Sequence, residues 1–429
     1  MQRLRVTSLD EAFINLASDT VMSVDVELAL TGRIDIERLF QALRAASASH
    51  PIARARLAAP GITTTALTWA IPDEPDHLAV EVTDEPVEVV RDRLLSVQHD
   101  LAYGPVLCLA LVREADGDRL LFNFHHAAFD GMGAMRFIAS VARAYVGGDD
   151  PIGGPPVKEA RDLRKLVGAR GAGDVRLRAA KLAKDAARRG RQLAKVAPDK
   201  GVDDGRRYAV ARLRISAVEL AEANMHRPEG ATLNDLVLAA HALTIVRWNR
   251  EHGRPLGDRV SIMMPVNMRP AEWSREVVSN FASYVAVFVP TSVTTLSDAV
   301  TIVHKETTAV KQDGTAAWIV DVLEPGNLVP HALKKALPTF LPLVERQFVE
   351  TTTLSNLGRQ APPAWGDAGE VRELWFSPPS MSSTIPLALG VAGMGEELYV
   401  GLRSDRRSIG PEALQAYAEL FRSTLLGRS

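Results

Sequence analysis

Apolar residues along this chain recur with two periods, one near 3.6 residues and one near two, and the two alternate. Val24–Leu30 reads as a strand, and Arg33–Ser49 as a helix with Ile36, Leu39 and Leu43 on one face. Ile52–Leu57 and Thr63–Ile71 predict further strands, and Val87–Gln98 a helix. Val106–Arg113 and Arg119–Phe124 flank the run ADGD, whose Asp-Gly pair favours a tight hairpin. Met132–Tyr145 predicts a helix, closed by Gly147-Gly148. Strands and helices mixed in this order argue for an α/β layer architecture rather than a bundle.

The pattern breaks at GGDDPIGGPP (residues 147–156), which is turn chemistry, and the next segment has a different character. Lys158 to Lys200 carries 14 Lys/Arg against 5 Asp/Glu, a local net of +9. It reads as a solvated, Ala-rich connecting helix. The sharper alternative is a basic face for an anionic lipid, a CoA phosphate or an acidic carrier protein. Alternation resumes with Tyr208–Ile215 as a strand and Leu233–Asn249 as a long apolar helix capped by Thr232. Val260–Pro265 and Ser283–Pro290 read as buried strands and Leu296–Lys311 as a helix, followed by a Pro-interrupted helical region reaching Glu345. Strands near Thr351–Ser355, Leu387–Val391 and Leu398–Leu402 and a helix from Pro411 close the chain. The division this predicts is an N-terminal half over 1–157, a basic helical linker over 158–204 and a C-terminal half over 205–429.

The 429 residues, 46% hydrophobic and 24% charged, suit a globular protein and exclude a fibrous or disordered one. A net charge of −2 argues against nucleic acid as a partner of the whole chain. Cys108 is the single cysteine, so no internal disulfide or cysteine-based zinc site can form; it sits on an apolar strand with no base beside it in sequence. That usage, and an N-terminus that reaches Asp10 and Glu11 before any apolar run, predict a cytoplasmic protein. Val277–Ser297 is uncharged over 21 residues, a bilayer's length, but Asn280, Pro290 and the β-branched run SYVAVFVP predict a buried strand with flanking loops. No nucleotide-binding or serine-hydrolase signature is present, and no cofactor is expected.

The densest chemistry lies in LFNFHHAAFDGMGAMRF, residues 121–137. A strand delivers His125 and His126 to a turn, and Asp130-Gly131 opens a helix. Imidazole, with an ordinary pKa of about 6.5, suits proton exchange near neutrality. Three readings compete: structural histidines, a metal site of His125, His126 and Asp130, or a general base. Adjacent strand residues face opposite ways and no third histidine is near, which disfavours the metal. The other eight histidines (His50, His77, His99, His226, His241, His252, His304, His331) are scattered and read as core or surface. Trp248, Trp318 and Trp375 could line a channel, although single tryptophans more often pack.

HHAAFDG and the helix after it resemble the HHxxxDG superfamily of CoA-dependent acyltransferases, peptide-synthetase condensation domains and wax ester synthase/diacylglycerol acyltransferases. TSLDEAF (7–13), HPIARARL (50–57), PVNMR (265–269) and SNLGR (355–359) are similar, in order, to further segments of those proteins. The Asp-Phe-Gly-Trp-Gly signature of the plant members is absent, as is any adenylation or carrier segment, so a stand-alone protein is expected. The resemblance implies an α/β fold of two chloramphenicol-acetyltransferase-like subdomains, each a mixed sheet with helices, and a tunnel between them. It implies an acyltransferase in which His126 is the general base, taking a proton from an alcohol or amine acceptor as it attacks a thioester of CoA or an acyl-carrier protein. His125, Asp130 and Gly131 would be structural, with Arg269 pairing Asp130; Ser355 or Asn356 would serve the oxyanion or substrate. Amide formation between carrier-bound substrates and a non-catalytic recruitment module of the same fold are the alternatives. Peripheral membrane contact stays compatible with the sequence.

Overall fold

A computed structural model describes the chain apart from residues 18, 19, 62, 76, 77, 79, 152, 190, 191, 274, 275, 314, 337–348, 381–384 and 429. Among the described residues, three sheets organise the fold. The five-stranded sheet runs Val371–Ser377, Ser23–Leu30, Gly117–His125, Leu107–Glu114, Val80–Thr83, antiparallel except for the last pair. The six-stranded sheet runs Ala282–Pro290, Arg259–Asn267, Thr352–Gln360, Leu387–Met394, Glu397–Asp405, Tyr208–Ile215, its third strand lying parallel to both neighbours. Gln2–Arg5, Thr68–Ile71 and Arg56–Leu57 form a small third sheet.

Each large sheet has its own core. Helices Ile36–Ser49 and Gly131–Tyr145 bury Leu39, Leu43, Phe137, Ile138 and Val141 against the first sheet. Helices Leu233–Glu251 and Pro411–Leu425 cover the second, the former buried almost all round, as its continuous apolar sequence requires. The hairpin expected at ADGD forms, with Glu114 opposite Gly117. Gly117 sits at φ +144°, where a Cβ would lie 1.9 Å from the Leu30 carbonyl oxygen, so only glycine fits.

Several expectations are corrected. Ile52–Leu57 is a short 3₁₀ turn, Pro51–Arg54, followed by a two-residue strand, because Pro51 cannot donate to a ladder. The strand expected at Thr63–Ile71 is confined to Thr68–Ile71. Within residues 205–429, Val371–Ser377 crosses to pair with Ser23–Leu30, and Trp365, Leu374 and Phe376 are buried in the core of the first sheet. The basic segment is not a plain solvated helix. Its main helix, Ala172–Arg189, is largely exposed, yet Arg178 pairs with Asp321, Arg188 with Glu306 at 2.7 Å, and Arg189 Nε donates to Glu350 at 2.9 Å. The helical region expected to reach Glu345 is described to Ala336; its remainder, and His77, lie outside the described residues.

The two sheets meet through charge. Glu27 on the first accepts from Arg91 Nε at 3.1 Å and Arg119 Nη1 at 2.9 Å, and from Arg212 of the second. Asp25 accepts from Arg403 Nη1 at 2.9 Å, also across the junction, and burial pushes its pKa up. Buried pairs of this kind specify a relative placement more than they add net stability. No helix among the described residues is long and apolar enough to cross a membrane.

Candidate functional site

The site is built where the strand Gly117–His125 ends. The His126 amide still donates to the Met22 carbonyl at 2.8 Å, so the second histidine leaves the sheet with its backbone anchored. Strand alternation then separates the two rings. His125 is buried; its Nδ1 accepts from the Ala127 amide at 3.1 Å, and its ring meets His99 edge-on, 5.8 Å between centroids. Burial, then the neighbouring His99 and His126, drives its pKa down to about 3, so it stays neutral. His126 instead faces a cavity lined from both halves, including Val24, Met132, Met263, Tyr284, Ser355 and Phe376.

The His126 ring stacks on Phe13, 4.1 Å between centroids and 8° from parallel. Its Nδ1 is buried with no hydrogen-bond partner among the described residues. Burial lowers the imidazole pKa, opposed by the residue's own backbone and the carboxylates of Asp130 and Asp10. The ring is thereby held neutral, with a lone pair to offer.

Behind it, Asp130 caps the helix Gly131–Tyr145 by accepting from the Gly133 amide at 2.7 Å. The same carboxylate accepts from the Phe281 amide at 2.7 Å and takes both arms of Arg269, at 2.7 and 2.9 Å. Arg269 also donates to the carbonyls of Val277 (3.1 Å) and Ser279 (2.7 Å), leaving few of its protons unmatched. Gly131 is required by its surroundings: a Cβ there would meet Leu357 Cδ2 at 2.5 Å and the Phe376 ring at 3.3 Å. Ser355 and Asn356 both line the cavity, but they differ. The Asn356 amide is engaged, donating to Asn234 Oδ1 at 3.1 Å and accepting from the Gly358 amide at 2.8 Å, whereas the Ser355 hydroxyl has no partner among the described residues.

Sequence reasoning missed the second support of this loop. Thr7 and Asp10 form a capping box that starts the helix Ser8–Leu16 and so places Phe13 against His126. Asp10 is fully buried and pairs with Arg161, whose Nη1 donates to Ser279 Oγ at 2.6 Å. Asp10, Arg161, Ser279, Arg269 and Asp130 thus run as one polar chain behind the histidine. The Thr-x-x-Asp spacing was a usable signal for the helix; nothing local marked Arg161, which lies in the basic segment.

Other candidates fall elsewhere. Trp248 packs in the C-terminal core with its Nε1 on the Ala197 carbonyl, Trp318 donates to the Tyr284 carbonyl at 3.1 Å, and Trp375 lines a separate cavity between the sheets. Cys108 does have a base near it, since its Sγ lies 3.9 Å from His99 Nδ1; burial nonetheless pushes the thiol pKa up. No group of three or more His, Cys, Asp or Glu side chains among the described residues is placed to hold a metal ion.

No protein-family model matches the chain. It is similar over its whole length to solved structures: the epimerization domain from the third module of tyrocidine synthetase B (TM-score 0.70, 16% identity, 99% of this chain and 96% of that one) and the condensation domain of the Monacolin K polyketide synthase MokA (0.66, 15%, 99% and 98%). A mutant starter condensation domain of rhizomide synthetase RzmA, in complex with C8-CoA, superposes with a TM-score of 0.71 at 15% identity, covering 99% of this chain and 95% of that one. Two curated relatives, the uncharacterized proteins MT2362 and Rv2305 of Mycobacterium tuberculosis strains CDC 1551 and H37Rv, are each 52% identical over 427 residues, 99% of both chains. The chain therefore belongs to one family with these two mycobacterial proteins, and it has the two-subdomain, chloramphenicol-acetyltransferase-like fold of the HHxxxDG superfamily.

Proposed function

We propose that this protein is an acyltransferase that moves an acyl group from a thioester to an alcohol or amine, with His126 as general base. The observation that carries the proposal is the neutral, stacked imidazole of His126 facing a cavity between the halves, with its loop tied from behind by Asp130 and Arg269. In the reaction, Nε2 of His126 takes the acceptor's proton as its oxygen or nitrogen attacks the thioester carbonyl. The tetrahedral oxyanion collapses, and the thiolate leaves with the proton returned by the imidazolium. The hydroxyl of Ser355 and the second N–H of Asn356, whose first is held by Asn234, are the two candidate oxyanion donors. His125, Asp130, Gly131 and Arg269 fix the loop that carries His126. A starter condensation domain with the same fold holds C8-CoA, which supports a CoA thioester as donor; an acyl-carrier protein offers the same thioester group.

The test is mass spectrometry of products from an acyl-CoA panel offered with alcohols and amines, for wild type and His126→Ala. Turnover with acyl-CoA alone as donor is expected, with the variant slower by roughly 10²–10⁴-fold at unchanged melting temperature. Product only with carrier-bound substrates would favour the condensation reading. A variant with near-normal turnover would refute His126 as base, and no product from either donor would favour a recruitment module.

A further inference from the structure

A second cavity lies at the other end of the helix that carries Phe13. The strand Gln2–Arg5, the helix start at Thr7 and Ser8, the segment 158–164 and Glu324 enclose it. Five cations line it: Arg3, Arg5, Lys158, Arg161 and Arg164. Arg161 is 7% exposed and forms the buried part of the lining; its Nη atoms are taken by Asp10, Ser279 and the Arg5 carbonyl, but its Nε has no partner. The exposed side chains of Arg3, Arg5, Lys158 and Arg164 form no ion pair or side-chain hydrogen bond among the described residues. This sets them apart from most arginines of this chain, which are matched to carboxylates. The two carboxylates in the lining are already occupied. Asp162 caps the helix Leu163–Val167, and Glu324 accepts from Ser8 Oγ at 3.2 Å and Asn327 Nδ2 at 3.0 Å.

Asp162 and Glu324 offset two of the five cations in the lining, which leaves the concave site a net positive potential that salt screens only over about 10 Å at 0.1 M. We propose that this cavity binds a phosphate ester. A phosphate carries one to two charges on oxygens spaced to take the paired N–H groups of arginine, so one or two phosphates would match the unmet donors. The lining has no aromatic side chain on which a base could stack, which argues against single-stranded nucleic acid as the occupant. The site stands on charge and concavity and does not depend on acyl transfer at His126.

The experiment compares the wild-type chain with Arg3→Gln/Arg164→Gln and with a control pair, Arg227→Gln/Arg250→Gln, exposed cations of the C-terminal half that form no ion pair among the described residues and do not line this cavity. Two probes are used: inorganic pyrophosphate, followed by calorimetry, and phosphatidylcholine vesicles with and without phosphatidylglycerol, followed by co-sedimentation. Wild type is expected to bind a phosphate probe with an affinity that falls as salt rises. The Arg3/Arg164 variant should bind at least about tenfold more weakly, having lost two charge-assisted contacts, and the control pair within about twofold of wild type. Pyrophosphate binding with this dependence identifies a soluble phosphate ester as the source, and binding only to phosphatidylglycerol vesicles identifies a lipid headgroup. Failure to bind either probe, or equal weakening by the control pair, overturns the proposal. Far-ultraviolet circular dichroism of both variants verifies that each is folded.

Discussion

Replacing Asp130 with alanine should unfold this protein more readily before it slows it. The carboxylate is buried and accepts four hydrogen bonds: two from Arg269, one from the Gly133 amide and one from the Phe281 amide. Removing it strands a guanidinium that is itself buried, and breaking one side of such a pair typically costs about 3–5 kcal/mol. The helix Gly131–Tyr145 also loses its cap, about 1 kcal/mol. Carbonyls of Val277 and Ser279 still hold Arg269, which offsets part of the loss, so a net of about 4 kcal/mol is expected. Asp130→Asn keeps the cap but not the charge and should lose roughly half as much. Asp130→Ala/Arg269→Met removes both charges and should be more stable than Asp130→Ala alone, because the unpaired ion is gone. Urea unfolding followed by intrinsic fluorescence measures all three. The reasoning is refuted if Asp130→Ala unfolds within about 1 kcal/mol of wild type while its turnover is lost, or if the double variant gains nothing over the single.

Two further expectations follow from the same coordinates. Burial lowers the His126 pKa below its ordinary 6.5; with the neutral imidazole as the proposed base, kcat/KM should hold level as pH falls through 6.5 and decline only below it. A half-maximal point at or above pH 6.5 would contradict this. Gly390→Ala places a Cβ 2.2 Å from the Phe376 carbonyl oxygen and 2.8 Å from Pro378 Cδ, atoms of the crossing segment that also bounds the His126 cavity. It should cost roughly 1–3 kcal/mol and reduce turnover, whereas Gly393→Ala, whose nearest neighbour is 3.5 Å away, should leave the thermal midpoint unchanged.

Much of this protein was legible locally. Hydrophobic periodicity located most long strands and helices, since period is set by backbone geometry that each residue carries with it. The histidine loop was legible because a strand end and an aspartate cap are dictated within a dozen residues, whereas the crowding that requires Gly131 comes from Leu357 and Phe376, which only the fold brings there. The Arg269–Asp130 pairing came from likeness to other sequences, because 139 residues separate the two and no local rule links them. Phe13 and Arg161 show the limit of local reading. One looked like part of a short motif and the other like one charge among many in a basic run; only folding stacks the first on His126 and buries the second against Asp10.

The chain's own order of apolar and polar residues thus determined that it forms mixed sheets and helices, where the turn bearing His125 and His126 lies and which residues begin its helix. Tertiary structure alone decided that Val371–Ser377 joins the other half's sheet, that Asn356 spends one N–H on Asn234 while both it and Ser355 line the His126 cavity, and that four arginine and lysine side chains at a second cavity are left without ion-pair partners among the described residues. The physical reason is the same in each case. Backbone preference and period act over a few residues, whereas pairing of a strand edge, satisfaction of a buried donor and neutralisation of a charge are settled by whichever groups the fold brings within about 3 Å.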